Sequence, residues 1–180
     1  MQPRRIAIVG CSGVGKSTLA RHISSTLRLP HLELDALFHQ AGWTQLTEEV
    51  FRNEVRDYLA QHDAWVIDGN YEPVRDLIWA QATHVLWLHP PRREMMRQII
   101  ARSIRRTITR EELWNGNKEP WGNLTSLNPN RSIIAWAFTR YHPYAIEFTQ
   151  WQADPRWAHA EHHKFSSHEE AERWLEGLPG

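Results

Sequence analysis

Cysteine is nearly missing from this chain. Cys11 stands alone among 180 residues, so no intrachain disulfide can form, and that usage suits a reducing compartment. An excess of charge is missing too: 21 Lys and Arg balance 21 Asp and Glu, which removes any global pull toward nucleic acid or an acidic partner. No apolar run approaches the roughly 18 residues that a membrane span needs. The N-terminal apolar stretch is short and leads straight into a glycine-rich loop, so a secretory h-region is also lacking. These absences predict a cytoplasmic protein without membrane partners. Repeats, low-complexity tracts and linkers are not evident, and the length fits one domain over residues 1–180.

Tryptophan, by contrast, is plentiful, with ten spread from Trp43 to Trp174. Trp136 and Trp151 lie in helical, aromatic-rich stretches where packing accounts for them.

The most informative run is Gly10-Cys11-Ser12-Gly13-Val14-Gly15-Lys16-Ser17-Thr18, directly after Ile6-Ala7-Ile8-Val9. It satisfies the GxxxxGK[ST] phosphate-loop pattern in its strand–loop–helix setting. Glycines let successive backbone N–H groups turn inward around phosphate oxygens, and the following helix adds its positive N-terminus. Lys16 can reach the β- and γ-phosphates, while the Ser17 hydroxyl can ligate magnesium. Cys11, within the loop, reads as a small tolerated residue rather than a redox switch.

Hydrophobic patterning places these residues on a fold. Strands are expected at 4–9, 31–34, 65–67 and 83–88, with a weaker one at 162–165. Helices are expected from Lys16 to Leu27 and over 47–61, the latter capped by Thr47 and carrying Phe51, Val55 and Leu59 on one stripe. Further helices are expected to begin near Pro91, to cover 130–150 with Pro143 either kinking the helix or delaying its continuation, and to follow a Ser167 cap, the last carrying Ala171, Trp174 and Leu175. Continuously apolar strands alternating with helices predict an α/β, three-layer P-loop NTPase fold with a mostly parallel sheet of five strands. Ligands in such sheets gather beyond the C-terminal strand ends, where the loop, Asp35 and Asp68 converge.

Asp35, placed at the end of the second strand, can orient an acceptor hydroxyl or take its proton. Phe38 and Trp43 follow as candidate acceptor contacts. Asp68 opens Asp68-Gly69-Asn70-Tyr71 and can organise the magnesium water shell with Ser17, while Gly69, Asn70 and Tyr71 face the acceptor. Arg102, Arg106 and Arg110 fall on one helical face, if the helix persists that far, and form a phosphate-handling lid. The Gly-, Asn- and Pro-rich stretch after it extends the lid-like excursion over about residues 102–128. Asn117-Lys118 is not a guanine reader, because Pro120 stands where an aspartate belongs. His159, His162, His163 and His168 read as structural: His162 and His163 are neighbours on one strand and cannot both point inward.

Beyond the loop, the segments Leu34-Asp35-Ala36-Leu37-Phe38, Gly42-Trp43 and Val66-Ile67-Asp68-Gly69-Asn70-Tyr71 carry a wider likeness. So does the arginine-rich stretch leading to Glu112-Leu113-Trp114-Asn115-Gly116-Asn117. With them the chain resembles small bacterial adenylate-kinase-like proteins labelled DNA-topology-modulation proteins, within the nucleoside monophosphate kinase-like group. That resemblance implies a five-stranded parallel sheet, ATP and Mg2+ as cofactors, an acceptor pocket and an arginine lid. Adenylate kinases follow the Asp-Gly pair with phenylalanine, proline and arginine; Asn70-Tyr71-Glu72 here offers no phosphate-binding arginine, so AMP as acceptor is not implied. No nucleic-acid-binding module is present, and direct DNA contact is not expected. The resulting expectation is a Mg-ATP-dependent phosphotransferase acting on a small acceptor. An ATP hydrolase and an ATP-binding regulatory module remain the alternatives.

Overall fold

The computed structural model describes residues 4–178. Five parallel strands form one sheet in the order β2-β3-β1-β4-β5. They are β1 (Arg5–Val9), β2 (His31–Glu33), β3 (Trp65–Asp68), β4 (His84–Leu88) and β5 (Glu161–Phe165). The central strand β1 pairs Ile8 with Asp68 on one side and Val9 with Trp87 on the other. The loop after β1 and the residues after β3 therefore leave the sheet side by side.

Among the described residues eight α-helices accompany this sheet: α1 (Lys16–Leu27), α2 (Leu34–Phe38), α3 (Glu48–Gln61), α4 (Glu72–Trp79), α5 (Arg92–Thr109), α6 (Gly122–Thr125), α7 (Ile133–Gln152) and α8 (His168–Glu176). Strand side chains alternate between two apolar cores, one on each face. Ile6, Ile8, Val66, Leu86 and Leu88 pack against Leu19 and Ile23 of α1, Met95 and Ile99 of α5, and Ala171 and Leu175 of α8. Ala7, Val9, Trp65, Ile67 and Trp87 face Phe51 and Val55 of α3 and Val74 and Ile78 of α4. Helix α7 serves both cores, with Ala137 and Tyr141 in the first and Phe148 in the second.

The helix ends follow local chemistry. The Thr47 and Ser167 side chains accept hydrogen bonds from the backbone of Val50 and Glu170, so α3 and α8 start at their caps. Helix α7 passes through Pro143 without a break. Three short helices go beyond the sequence expectation: α2, α4 and α6. Strand β2 stops at Glu33, and Asp35 lies in the first turn of α2 rather than at a strand end. The cause is Leu34, which turns into the core at 1% exposure and pulls the chain out of the sheet. Helix α5 also ends earlier than the arginine spacing requires. Arg110 caps it in the left-handed region with φ 53°, which sends its side chain off the face shared by Arg102 and Arg106. Among the described residues, no helix is long and apolar enough to cross a membrane.

Candidate functional site

The loop between β1 and α1 wraps the sheet's C-terminal edge. Gly13 and Gly15 hold φ of 86° and 91°, a region that side chains rarely adopt. A Cβ at Gly13 would press into Ile99, and one at Gly15 would overlap the His168 ring. Lys16 folds back over this cradle and donates from Nζ to the Cys11 carbonyl at 3.1 Å. Cys11 itself is buried, and burial pushes its thiol upward, as befits a packing residue. The Asn70 amide grips the loop's first residue, accepting from Gly10 N at 3.0 Å and donating to Gly10 O. Gly69 packs on Leu34, where a Cβ would stand 2.7 Å from the leucine Cβ.

Ser17 sits between two carboxylates, 2.8 Å from Glu33 Oε1 and 2.7 Å from Asp68 Oδ2. A hydroxyl has one proton and can donate to only one of them at a time. The other carboxylate oxygen then meets a lone pair, an arrangement that a cation relieves. Asp68 is 2% exposed, and its second oxygen lies 2.6 Å from His31 Nε2. Glu33 and His31 were not among the residues singled out in the sequence. Glu33 had a signal, since Glu33-Leu34-Asp35 puts two carboxylates two positions apart at a strand end; His31 had none. Among the described residues no three imidazole, thiolate or carboxylate groups close around a common point.

Helix α5 supplies the cationic wall. Arg102 reaches toward Ser12, its guanidinium 3.4 Å from Oγ. Burial and then the neighbouring Arg106 charge pull it below the usual arginine range. Arg106 faces Glu111 at 3.7 Å and the buried Glu119 at 3.9 Å. The Nε atoms of both arginines are buried without a protein hydrogen-bond partner. Two arginines forced together beside an anion cradle, with donors unspent, fit a bound polyphosphate. Arg110, exposed at the helix end, does not line the cleft.

On the opposite wall Tyr71 donates to Asp35 Oδ1 at 2.6 Å and lies 3.3 Å from His39 Nε2. Burial, followed by the Asp35 charge, pushes the Tyr71 phenol far upward, so it stays a donor. Phe38 packs against Tyr71 and Phe51, with ring centroids 4.7 and 5.1 Å away. Trp43 remains 37% exposed at the rim.

The segment after α5 closes over this wall. Asn115 donates to the Ala36 and His39 carbonyls at 3.1 and 2.7 Å, and Asn117 donates to the Gln40 carbonyl at 2.9 Å. Trp43 answers with its backbone N–H to Asn117 Oδ1 and its indole N–H to the Lys118 carbonyl. Asn123 joins the next helix by donating to Glu119 and accepting from Ile133 N. Glu119 and Asn123 were not singled out in the sequence either. The open cleft measures about 570 Å³ and is lined by Ser12, Lys16, Asp35, Phe38, Trp43, Asn70, Tyr71, Arg102 and Arg106, among others. The four histidines considered for a metal are dispersed: His162 meets Trp79 while His163 meets His84 and Trp174, on opposite faces of β5.

No family model matches the chain. Over 65 residues it is 34% identical to a shikimate kinase of Zymomonas mobilis subsp. mobilis, 36% of each chain. The chain thus matches about a third of that relative's length. The solved shikimate kinase of Acinetobacter baumannii, in complex with shikimate, superposes with a TM-score of 0.53 at 14% identity, over 97% of this chain and 92% of that one. The shikimate kinase of Bacteroides thetaiotaomicron gives 0.53 at 15% identity, over 96% of each. These likenesses do not single out the DNA-topology-modulation proteins. What they show is the fold: the chain has the three-layer α/β P-loop architecture that shikimate kinases share.

Proposed function

We propose that the chain is a Mg-ATP-dependent kinase that phosphorylates a hydroxyl of a small acceptor. One observation carries the reading: Lys16 of the anion cradle, the Asp35 carboxylate and the partly buried Arg102 and Arg106 border one cleft, and Ser17, next to Lys16 in the chain, lies between the Glu33 and Asp68 carboxylates. The partial identity to a shikimate kinase supports the same class of chemistry.

In this reading the loop from Gly10 to Thr18 holds the ATP phosphates through backbone N–H groups, and Lys16 leaves the Cys11 carbonyl to meet them. Ser17, Glu33 and Asp68 would hold magnesium directly or through water; bound there, it would neutralise charge on the phosphate oxygens. His31 keeps the Asp68 carboxylate turned toward Ser17. Arg102 and Arg106 neutralise the charge that develops on the moving phosphoryl group. Asp35 accepts the acceptor's hydroxyl proton, its free oxygen being Oδ2 because Tyr71 occupies Oδ1. The docked lid excludes water, which favours the acceptor over hydrolysis.

The test is ADP formation with Mg-ATP and a panel of small alcohols, nucleosides and nucleoside monophosphates, with direct detection of phosphorylated product. A phosphorylated product that depends on both Mg2+ and Lys16 supports the kinase. Free phosphate as the sole product, still lost in Lys16→Ala, identifies a hydrolase or an ATP-driven regulator instead. Lys16→Ala should lower turnover by about 10²–10³-fold.

A further inference from the structure

The wall around Asp35 is built of rings. Phe38, His39, Trp43, Tyr71 and Trp114 all border the cleft. His39 stands 5.4 Å from Trp43 edge to face and 6.1 Å from Trp114 at an interplanar angle of 22°, so residues just after α2 and a lid residue join in one aromatic cluster. The cluster belongs to the β2–β3 half of the sheet, with Asp35 and Tyr71, whereas α5 and its arginines follow β4 on the other side of the central loop. Lid closure adds Trp114 to the wall, and the hydrogen bonds from Asn115 and Asn117 fix it there.

Cations that do not line the cleft are engaged elsewhere. Arg140 pairs with Glu147 at 2.9 Å, and Arg52 pairs with Asp76 at 2.7 Å. Arg75 lies over the Trp151 ring, 3.5 Å from its centroid, in the field of Glu72 and Glu147. Lys16, Arg102, Arg106 and the exposed Arg131 line the cleft itself, and Lys16 and Arg102 bond to the Cys11 carbonyl and Ser12 of the phosphate loop. The group nearest the rings is the Asp35 carboxylate, which would repel an acceptor's own acid group. His39 adds no positive charge, since burial holds its imidazole below the usual histidine range.

We propose that the acceptor is an uncharged compound with a planar aromatic or heteroaromatic ring and a hydroxyl group, a nucleoside-like alcohol rather than a phosphate ester or a hydroxy acid. This rests on the kinase reading and narrows it. The ring lies against the Trp43–His39–Trp114 cluster and the hydroxyl faces Asp35. The hydroxyl oxygen bonds to the γ-phosphorus of ATP as the bond to the β–γ bridging oxygen breaks. The proton passes to Asp35, and ADP departs with the bond's electron pair.

The experiment compares adenosine, thymidine and pyridoxine with AMP, shikimate and glycerol as acceptors, reading phosphorylated products by 31P NMR. Adenosine, thymidine or pyridoxine should be phosphorylated in preference to the other three. Trp114→Ala should then raise the acceptor KM by about tenfold to a hundredfold, as loss of a stacking ring does, and leave the ATP KM unchanged. Trp114→Phe should keep most of the effect of the ring, which guards against a variant that merely loosens the lid. Preference for shikimate, AMP or glycerol overturns the proposal while sustaining the kinase. A shift in ATP KM with an unchanged acceptor KM also overturns it, because the rings would then serve the donor. Free phosphate without any phosphorylated acceptor overturns the kinase reading, and this proposal with it.

Discussion

One proton at Ser17 shared between two carboxylate oxygens, at 2.8 and 2.7 Å, is the most informative detail of the site. Two carboxylates that meet at one hydroxyl repel each other unless a cation or a proton offsets their charge. Glu33→Gln and Asp68→Asn should each raise the magnesium concentration for half-maximal turnover by about 10- to 100-fold, with saturation by excess Mg2+ restoring part of the rate. A magnesium titration of each variant checks this. Arg106→Lys keeps charge but loses the planar fork, and should lower kcat by about 10²-fold with little change in ATP KM. Away from the site, His89 stacks on Tyr141 with ring centroids 4.7 Å apart, and burial, with Lys164 and His142 nearby, pushes its pKa down to about 4. The unfolded chain protonates near 6.5 while the folded one does not, so stability should fall as pH drops from about 6.5 to about 4. Denaturation midpoints of His89→Phe should show a shallower acid limb in that window.

At the scale of elements, helix limits follow the caps. Ser167→Ala should destabilise α8 by about 1 kcal/mol, measurable by urea denaturation. Elements with a cap and an apolar stripe were legible in the sequence, which is why α3 emerges with nearly the expected bounds and α8 starts at the expected Ser167 cap. Helices α2 and α4 were not legible: five and eight residues leave too few turns for a 3.6-residue period to stand out. Helix α4 offers one repeat of the stripe, Val74, Leu77 and Ile78, behind Pro73. The phosphate loop was readable because its glycines, lysine and serine are all demanded by one geometry. Glu33 and His31 were harder, since their role arises only when β2 lies beside β3 in register, His31 opposite Val66 and Glu33 opposite Asp68. The expected run Arg102, Arg106 and Arg110 failed at its last member for a local reason, the left-handed cap at Arg110. Replacing Arg110 with glycine should relieve that backbone and leave turnover far closer to the parent than Arg102 or Arg106 variants do.

Across the whole molecule, parallel strand order places β1 between β3 and β4, so loop, carboxylates and arginine helix meet although dozens of residues separate them in the chain. The lid completes the enclosure through hydrogen bonds to the carbonyls of residues 36, 39 and 40, a latch made of backbone acceptors and two asparagine amides. Loosening it should admit water without harming the cradle, so Asn117→Ala should raise free phosphate relative to phosphorylated product. That partition is also the most direct measurement of the central claim: ADP and free phosphate quantified together, with saturating Mg-ATP, in the presence of a hydroxyl-bearing acceptor. The account predicts ADP in clear excess over free phosphate, the difference recovered as phosphorylated acceptor and lost in Lys16→Ala. ADP and free phosphate in equal amounts, whatever acceptor is supplied, would contradict it.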